Sequence, residues 1–151
     1  MSDDNTATLI SEELLQLVGF KIGSEEFGVD ILKVQEINRM MMLTKVPNTP
    51  EFVEGVINLR GRIIPVIDLR MRLGLPHKEA DKDTRIIVVE LEGNTVGFIV
   101  DQVSEVLRIP QSITEPPPAI VGGINADFIT AVAKLENKLL ILLDLKNILT
   151  N

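Results

Sequence analysis

The chain states one segment twice, and that repetition limits what it can fold into. Residues 52–73 (FVEGVINLRGRIIPVIDLRMRL) return as residues 128–149 (FITAVAKLENKLLILLDLKNIL) without a gap, at an offset of 76. Phe52/Phe128, Val56/Val132, Leu59/Leu135, Asp68/Asp144, Leu69/Leu145 and Leu73/Leu149 are identical, while Arg62/Lys138 and Arg70/Lys146 exchange within a class. A second stretch, 17–39 (LVGFKIGSEEFGVDILKVQEINR), pairs with 86–108 (IIVVELEGNTVGFIVDQVSEVLR) at an offset of 69; there Gly28/Gly97, Val34/Val103, Glu36/Glu105 and Arg39/Arg108 are identical. The offsets differ because the connection 109–127 has 19 residues where 40–51 has 12. A unit of about 60 residues is marginal by itself, so two of them are expected to share a core. What differs between the copies is the place to look for function.

Within each copy the apolar runs are short and broken by turn residues, which predicts strands. Leu14–Ile22 and Phe27–Ile31 flank Gly23-Ser24-Glu25-Glu26 as a hairpin, and Arg85–Leu91 and Thr95–Val100 flank Glu92-Gly93-Asn94 in the same way. Residues 30–36 and 99–105 read as a helical turn leading into a third strand, about Glu36–Met42 in the first copy. Val53–Leu59 with Ile63–Ile67, and Ile129–Leu135 with Leu139–Leu143, form the second hairpins. Their turns place Gly61 and Asn137 where a positive φ is tolerated. Pro65 lacks an N–H, so its strand should be an edge there or carry a bulge. Asp68 and Asp144 each open a short helix as an N-cap, and Gly74 ends the first one. Close-spaced short strands in so small a unit indicate small barrels. The expected fold is all-β with short helices: two tandem five-stranded barrels from an internal duplication, sharing a core. The first is expected over about 14–75 and the second over about 84–151, with a C-terminal helix near 144–150. Residues 1–13, polar and acidic, read as a flexible N-terminal tail.

Composition excludes several functions. The net charge of −7 opposes a nucleic-acid role, and with no Trp or Tyr the chain lacks stacking platforms. The absence of Cys removes disulfides, thiolate chemistry and most structural zinc sites. MSDDNTATLISEELL has no positive n-region and no apolar run approaches 18 residues, so a cytoplasmic protein without membrane insertion is expected. Asp68 and Asp144 read as matched caps rather than a catalytic carboxylate pair. His77 sits in a polar linker without a nucleophile or metal frame and reads as a solvated loop residue. Gly122-Gly123 follows a proline run and opens no phosphate loop. No catalytic residue, metal or cofactor is expected.

Two features remain. Arg60 and Arg62 put a positive spot on a hairpin tip where the second copy has Glu136 and Lys138. Met40-Met41-Met42-Leu43 is an adaptable apolar run; it either presents an outer face to a partner or is covered by the other barrel.

The run GVDILKVQEINR (28–39), followed by NTPEFVEGVINLRGRIIPVIDLRMRLGL (48–75), resembles the CheW family of chemotaxis coupling proteins, and the similarity extends from about Gln16 to Leu149. The resemblance implies two five-stranded SH3-like barrels and a non-catalytic adaptor without a cofactor. Such an adaptor bridges the regulatory domain of a CheA-type histidine kinase to the cytoplasmic tips of methyl-accepting chemoreceptors, and is thereby recruited from the cytoplasm to membrane receptor arrays. It also implies a single-domain member, with no room for the receiver domain of the related CheV adaptors or the catalytic domains of CheA kinases. Carried over by motif, Val34, Glu36, Ile37, Gly55, Asn58, Leu59 and Arg60 are the receptor-binding residues around an inter-barrel groove. Arg60 either contacts receptor carboxylates or holds Glu36 as an internal pair. Met40, Met41, Met42 and Leu43 are the candidates for the kinase face. The competing expectation is a β-barrel module that binds another ligand or protein.

Overall fold

The computed structural model describes residues 13–149. The expected tail lies almost wholly outside the described residues, as does Thr150 at the end of the expected C-terminal helix. Thirteen strands and two short helices follow the chain: β1 (Leu14–Ile22), β2 (Glu25–Asp30), β3 (Val34–Arg39), β4 (Val53–Leu59), β5 (Arg62–Asp68), α1 (Leu69–Arg72), β6 (Arg85–Leu91), β7 (Asn94–Val100), β8 (Gln102–Pro110), β9 (Thr114–Glu115), β10 (Ile120–Val121), β11 (Ile124–Asn125), β12 (Ile129–Leu135), β13 (Lys138–Leu143) and α2 (Leu145–Leu149). None of the described helices is long and apolar enough to cross a membrane.

The two SH3-like barrels are present, but each borrows a hairpin from the other copy. One sheet runs β3-β6-β7-β5-β4 and the other β8-β1-β2-β13-β12-β9. We call them the central barrel (residues 34–100) and the terminal barrel (14–30 with 102–143). The duplication maps β3 onto β8, β6 onto β1, β7 onto β2, β5 onto β13 and β4 onto β12, so the first five strands of each order correspond. Even the parallel pairs match: Val66↔Gly97 between β5 and β7, and Leu142↔Gly28 between β13 and β2. The expected division into 14–75 and 84–151 is therefore corrected. A single 3₁₀ turn, Ile31–Lys33, joins β2 to β3, and Asp101 alone joins β7 to β8, so each first hairpin hands the chain straight across to the neighbouring barrel. Because both copies carry the same pattern, the repeat reads alike whether hairpins are exchanged or kept.

Four local expectations also change. The helical turn is confined to 31–33, where the Asp30 carboxylate accepts from the Leu32 N–H at 2.9 Å, and the second copy has only a bend. β3 begins at Val34 and ends at Arg39, leaving Met40–Leu43 outside any strand. The long connection is not a plain loop but holds β9 and the β10–β11 ribbon. Asn137 does not take a positive φ; Arg60 (φ 53°) and Gly61 (φ 84°) do, giving the two-residue primed turn that matches strand twist. Pro65 meets its expectation in an unforeseen way. β5 is interior to its sheet, but its ladder with β7 covers only Val66–Asp68, so at Pro65 the strand has a free side.

Each barrel has a private core on one face of its sheet: Ile57, Ile64, Val66, Ile86 and Val88 in the central barrel, and Leu17, Ile109, Ala133, Leu140 and Leu142 in the terminal one. A third cluster takes residues from both barrels, among them Phe20, Phe27, Ile87, Phe98, Ile124 and Ile141. Ile86–Val89 is buried throughout because alternate residues point into the private and shared cores. Phe20 stacks on Phe27 at 5.6 Å and tilts against Phe98 across the barrel boundary at 5.7 Å.

Candidate functional site

Two seams run between the barrels, related by the duplication, and they differ in chemistry. At the first, Asp68 caps α1 by accepting from the Arg70 and Met71 N–H groups, at 3.0 and 3.4 Å. That short helix aims Arg70 at Asp101: Nε donates to Oδ1 at 3.0 Å and Nη2 to Oδ2 at 2.5 Å, while Nη1 donates to the Pro76 carbonyl at 2.9 Å. The Gly23 N–H of the β1–β2 turn also donates to Asp101 Oδ2, at 2.8 Å, so the cluster ties the barrels together. Burial opposes ionisation of Asp101, but the Arg70 hydrogen bonds and the Gly23 N–H hold its carboxyl below the ordinary value. Asp101 in turn raises the Arg70 guanidinium. This seam is pinned by a largely buried ion pair.

Beside it, the segment 75–84 straps over a cleft of about 320 Å³ that includes Met40, Met41, Met42 and Leu43 in its lining. His77 was expected to be a solvated loop residue; it is exposed, yet it engages Glu79 at 3.0 Å and reaches Asp68 at 3.7 Å. Its ring is raised above the ordinary value, chiefly by the Glu79 hydrogen bond.

The second seam is open. Under the repeat offsets, Lys146 stands where Arg70 does, and Leu32 stands where Asp101 does. The Lys146–Glu92 pair at 3.3 Å lies in solvent, and Leu32 is 89% exposed. A cleft of about 220 Å³ lined by Lys33, Leu91, Glu92 and Lys146 separates the barrels there. It shares Asp30, Thr130 and Leu143 with a larger cleft of about 480 Å³, which opens onto Leu14, Leu17, Val29 and Leu142. The seam cleft is lined largely by charged groups, whereas the larger cleft is mostly apolar and runs onto the terminal barrel, with Leu14 and the exposed Leu32 on its rim. The two form one groove through their shared residues. Such a groove suits an amphipathic segment.

The motif residues spread from this groove to a hairpin tip. Val34 follows Lys33 directly and packs half-buried against the shared core. Further along β3, Glu36 pairs with Arg60 at the start of the β4–β5 turn, and Asn38 donates to Glu36 at 3.1 Å. The sheet order leaves β3 and β4 as the two edges, so this ion pair bridges an opening that no backbone ladder closes. The Asn38 hydrogen bond first, with help from Arg60, holds the Glu36 carboxyl below its ordinary value against the opposing effect of burial. Of the two expected roles for Arg60, the internal pair exists in the free protein, and the Arg60 side chain remains 74% exposed. Ile37 is exposed on β3.

Asn58 accepts from the Gly61 N–H at 2.9 Å and shapes the turn, and Leu59 packs on the private core. Gly55 lies beneath the chain at 43–44, where a Cβ would come within 2.7 Å of the Thr44 carbonyl oxygen. Met40, Met41 and Leu43 cover the central barrel's own private core, not the other barrel, and only Met42 points outward, 94% exposed. Among the described residues no group of three or more His, Asp or Glu is placed to hold a metal ion.

Sequence reasoning missed Leu14, Leu32, Arg70 and Asp101. The signal was present in the two offsets, which place Leu32 opposite Asp101 and Lys146 opposite Arg70, but only the hairpin exchange shows that these positions meet at the seams.

The fold is a double SH3-like barrel, with a cleft at the second seam that continues onto the terminal barrel. The chain belongs to the CheW-like domain family, which matches residues 16–151. It is 39% identical over 132 residues to the chemotaxis protein CheW of Klebsiella aerogenes, covering 87% of this chain and 80% of the relative. It is 38% identical over 139 residues to the chemotaxis protein CheW of Helicobacter pylori, covering 92% and 84%. The crystal structure of the scaffolding protein TtCheW from Thermoanaerobacter tengcongensis superposes with a TM-score of 0.82 at 44% identity, covering 88% of this chain and 86% of that one.

Proposed function

We propose that this protein is a non-catalytic cytoplasmic adaptor that couples the cytoplasmic tips of chemoreceptors to a CheA-type histidine kinase in chemotaxis signalling, and is recruited by that binding to membrane receptor arrays. Family membership supports the scaffold role, and the groove that runs from the open seam onto the apolar face of the terminal barrel is the observation that carries the docking step. The groove receives the apolar face of a receptor helical hairpin, with Leu14 and Leu32 as anchors; full burial of one leucine side chain is worth about 1.5–3 kcal/mol. The receptor face continues along Val34, Glu36 and Ile37 to Leu59 and Arg60, where an exposed guanidinium meets receptor carboxylates. Gly55 and Asn58 serve this face by holding its backbone. The kinase regulatory domain docks on the central barrel beside the methionine run, with Met42 as its exposed contact. Neither contact needs high affinity, because an array multiplies weak contacts through effective concentration.

The test is a calorimetric titration in physiological salt with the isolated regulatory domain of a CheA-type kinase, then with a receptor-tip fragment. Saturable one-to-one binding of the kinase domain that leaves the fragment able to bind supports the bridge. Leu32→Asp should abolish fragment binding and leave the melting temperature unchanged. If Leu32→Asp binds the fragment normally, the groove is not the receptor site. If the folded protein binds neither partner, the module binds some other ligand or protein.

A further inference from the structure

We infer that Arg70 and Arg72 of α1 are positioning residues that set the angle between the barrels, and through it the width of the open groove. The effect on binding rests on the docking reading above; the effect on the angle does not.

Helix α1 has four residues and sends its two arginines in different directions. Arg70 holds Asp101, which holds Gly23 of the terminal barrel. Arg72 lies between Phe52 and Phe128, its guanidinium carbon 4.9 and 4.8 Å from the two ring centroids. These phenylalanines are partners under the repeat, and each sits just before a matching strand, β4 or β12. Their carbonyls also accept equivalent bonds, from the Asp68 N–H at 2.8 Å and the Asp144 N–H at 2.9 Å. The guanidinium therefore occupies the local twofold position and touches both barrels at once. It also donates from Nε to the Ile148 carbonyl at 2.8 Å and from Nη2 to the Asn147 carbonyl at 3.1 Å, at the end of α2.

No second copy of this brace exists. The repeat partner of Arg72 is Ile148 and that of Arg70 is Lys146. The Lys146–Glu92 pair is solvent-exposed, a kind of contact that contributes little. A forked guanidinium stacked on two rings and bonded to two carbonyls is far more restrictive. Over the shared core, the Arg70–Asp101 pair holds one seam and Arg72 pins the middle of the boundary. The second seam is therefore the least restrained and is where a change of angle is felt most. One end of the groove, the cleft lined by Lys33, Glu92 and Lys146, lies at that seam, and the rest runs onto the terminal barrel.

The chain has no cysteine, so nitroxide labels at Asn94→Cys in the central barrel and Asn137→Cys in the terminal barrel report the inter-barrel distance by double electron–electron resonance. Wild type should give one narrow distribution. Arg72→Met and Arg70→Met should each broaden it and weaken binding of the receptor-tip fragment roughly tenfold, within the usual range of coupling between sites. Arg72→Lys keeps a cation between the rings but loses the forked donation, and should fall between wild type and Arg72→Met. Where a methionine variant fails to fold, Asp101→Asn carries the same test, because it keeps an acceptor for the Gly23 N–H while removing the charge. Unchanged distributions in the folded variants would overturn the brace. Broadened distributions with intact fragment affinity would overturn its effect on the groove. If wild type itself does not bind the fragment, the docking reading fails and the label distances still decide the brace.

Discussion

The central and terminal barrels share one strand order through their first five strands, yet their seams and edges carry different chemistry. At one inter-barrel seam an arginine and an aspartate lock together; at the other a lysine and an exposed leucine stand in their places and leave an opening. At the β3–β4 edge the central barrel sets Glu36 against Arg60, and the corresponding positions of the terminal barrel hold Glu105 and Glu136. The private cores match in part: Ile64 with Leu140, Val66 with Leu142 and Ile86 with Leu17 keep their volume, whereas Ile57 corresponds to Ala133 and Val88 to Gly19. Volume-conserving exchanges are those an interior tolerates best. The surfaces were free to diverge, and one seam became a clamp while the other became a groove.

The sharpest way to break this comparison is to ask whether the barrels are separate at all. Phe98 is fully buried in the shared core and meets Phe20 across the boundary. Phe98→Ala should cost about 3–5 kcal/mol and lower a single cooperative melting transition. Ile64→Ala, in the private core of the central barrel, should cost about 2–5 kcal/mol and also leave one transition. Two resolved transitions in calorimetry, for either variant, would mean that the barrels fold independently and that the shared cluster is mere contact.

A smaller effect tests the repeat at the level of one atom. Gly55 corresponds to Ala131, which has room for its Cβ, whereas a Cβ at 55 would press on the Thr44 carbonyl. Thr44 exchanges two backbone hydrogen bonds with Val56, at 3.0 and 2.8 Å, so it cannot simply withdraw. Gly55→Val should therefore destabilise by about 1–3 kcal/mol, and Ala131→Gly by no more than about 1 kcal/mol. Equal losses in chemical denaturation would show that the two sites are packed alike.

These contrasts also explain what was legible in the sequence. The hairpins, the capping aspartates and the double-barrel fold could be read because each depends on local pattern: alternation, turn residues, and a carboxylate before a short helix. Barrel membership could not be read, since it depends on which way a three-residue turn and a single bent residue direct the chain. Arg72 was invisible for a related reason. It occupies a unique place on the local twofold, where no repeat partner draws attention to it, and its two rings come from segments 76 residues apart. The GVINLRG motif was read as one receptor face, yet it divides by burial and bonding. Gly55 is buried and Leu59 packs on core, while Asn58, though exposed, is tied to the Gly61 N–H, and Arg60 extends into solvent.

The smallest expected effect concerns the β3–β4 edge. Glu36 has its carboxyl held below the unfolded value of 4.5 by Asn38 and then by Arg60. Its contribution to stability is therefore full above that unfolded value and is lost as pH falls through the lower folded value. Arg60→Glu gives the central barrel the carboxylate pair of its counterpart. At neutral pH the melting temperature should fall by only a few degrees, since an exposed ion pair is worth at most about 1 kcal/mol. The informative reading is the slope: the variant should lose less stability than wild type on acidification below that unfolded value, and the neutral-pH difference should shrink as salt is raised. A large loss at every pH would make the bridge a structural closure of the barrel. In that case failure of Arg60→Glu to bind a receptor fragment would say nothing about contact with the receptor.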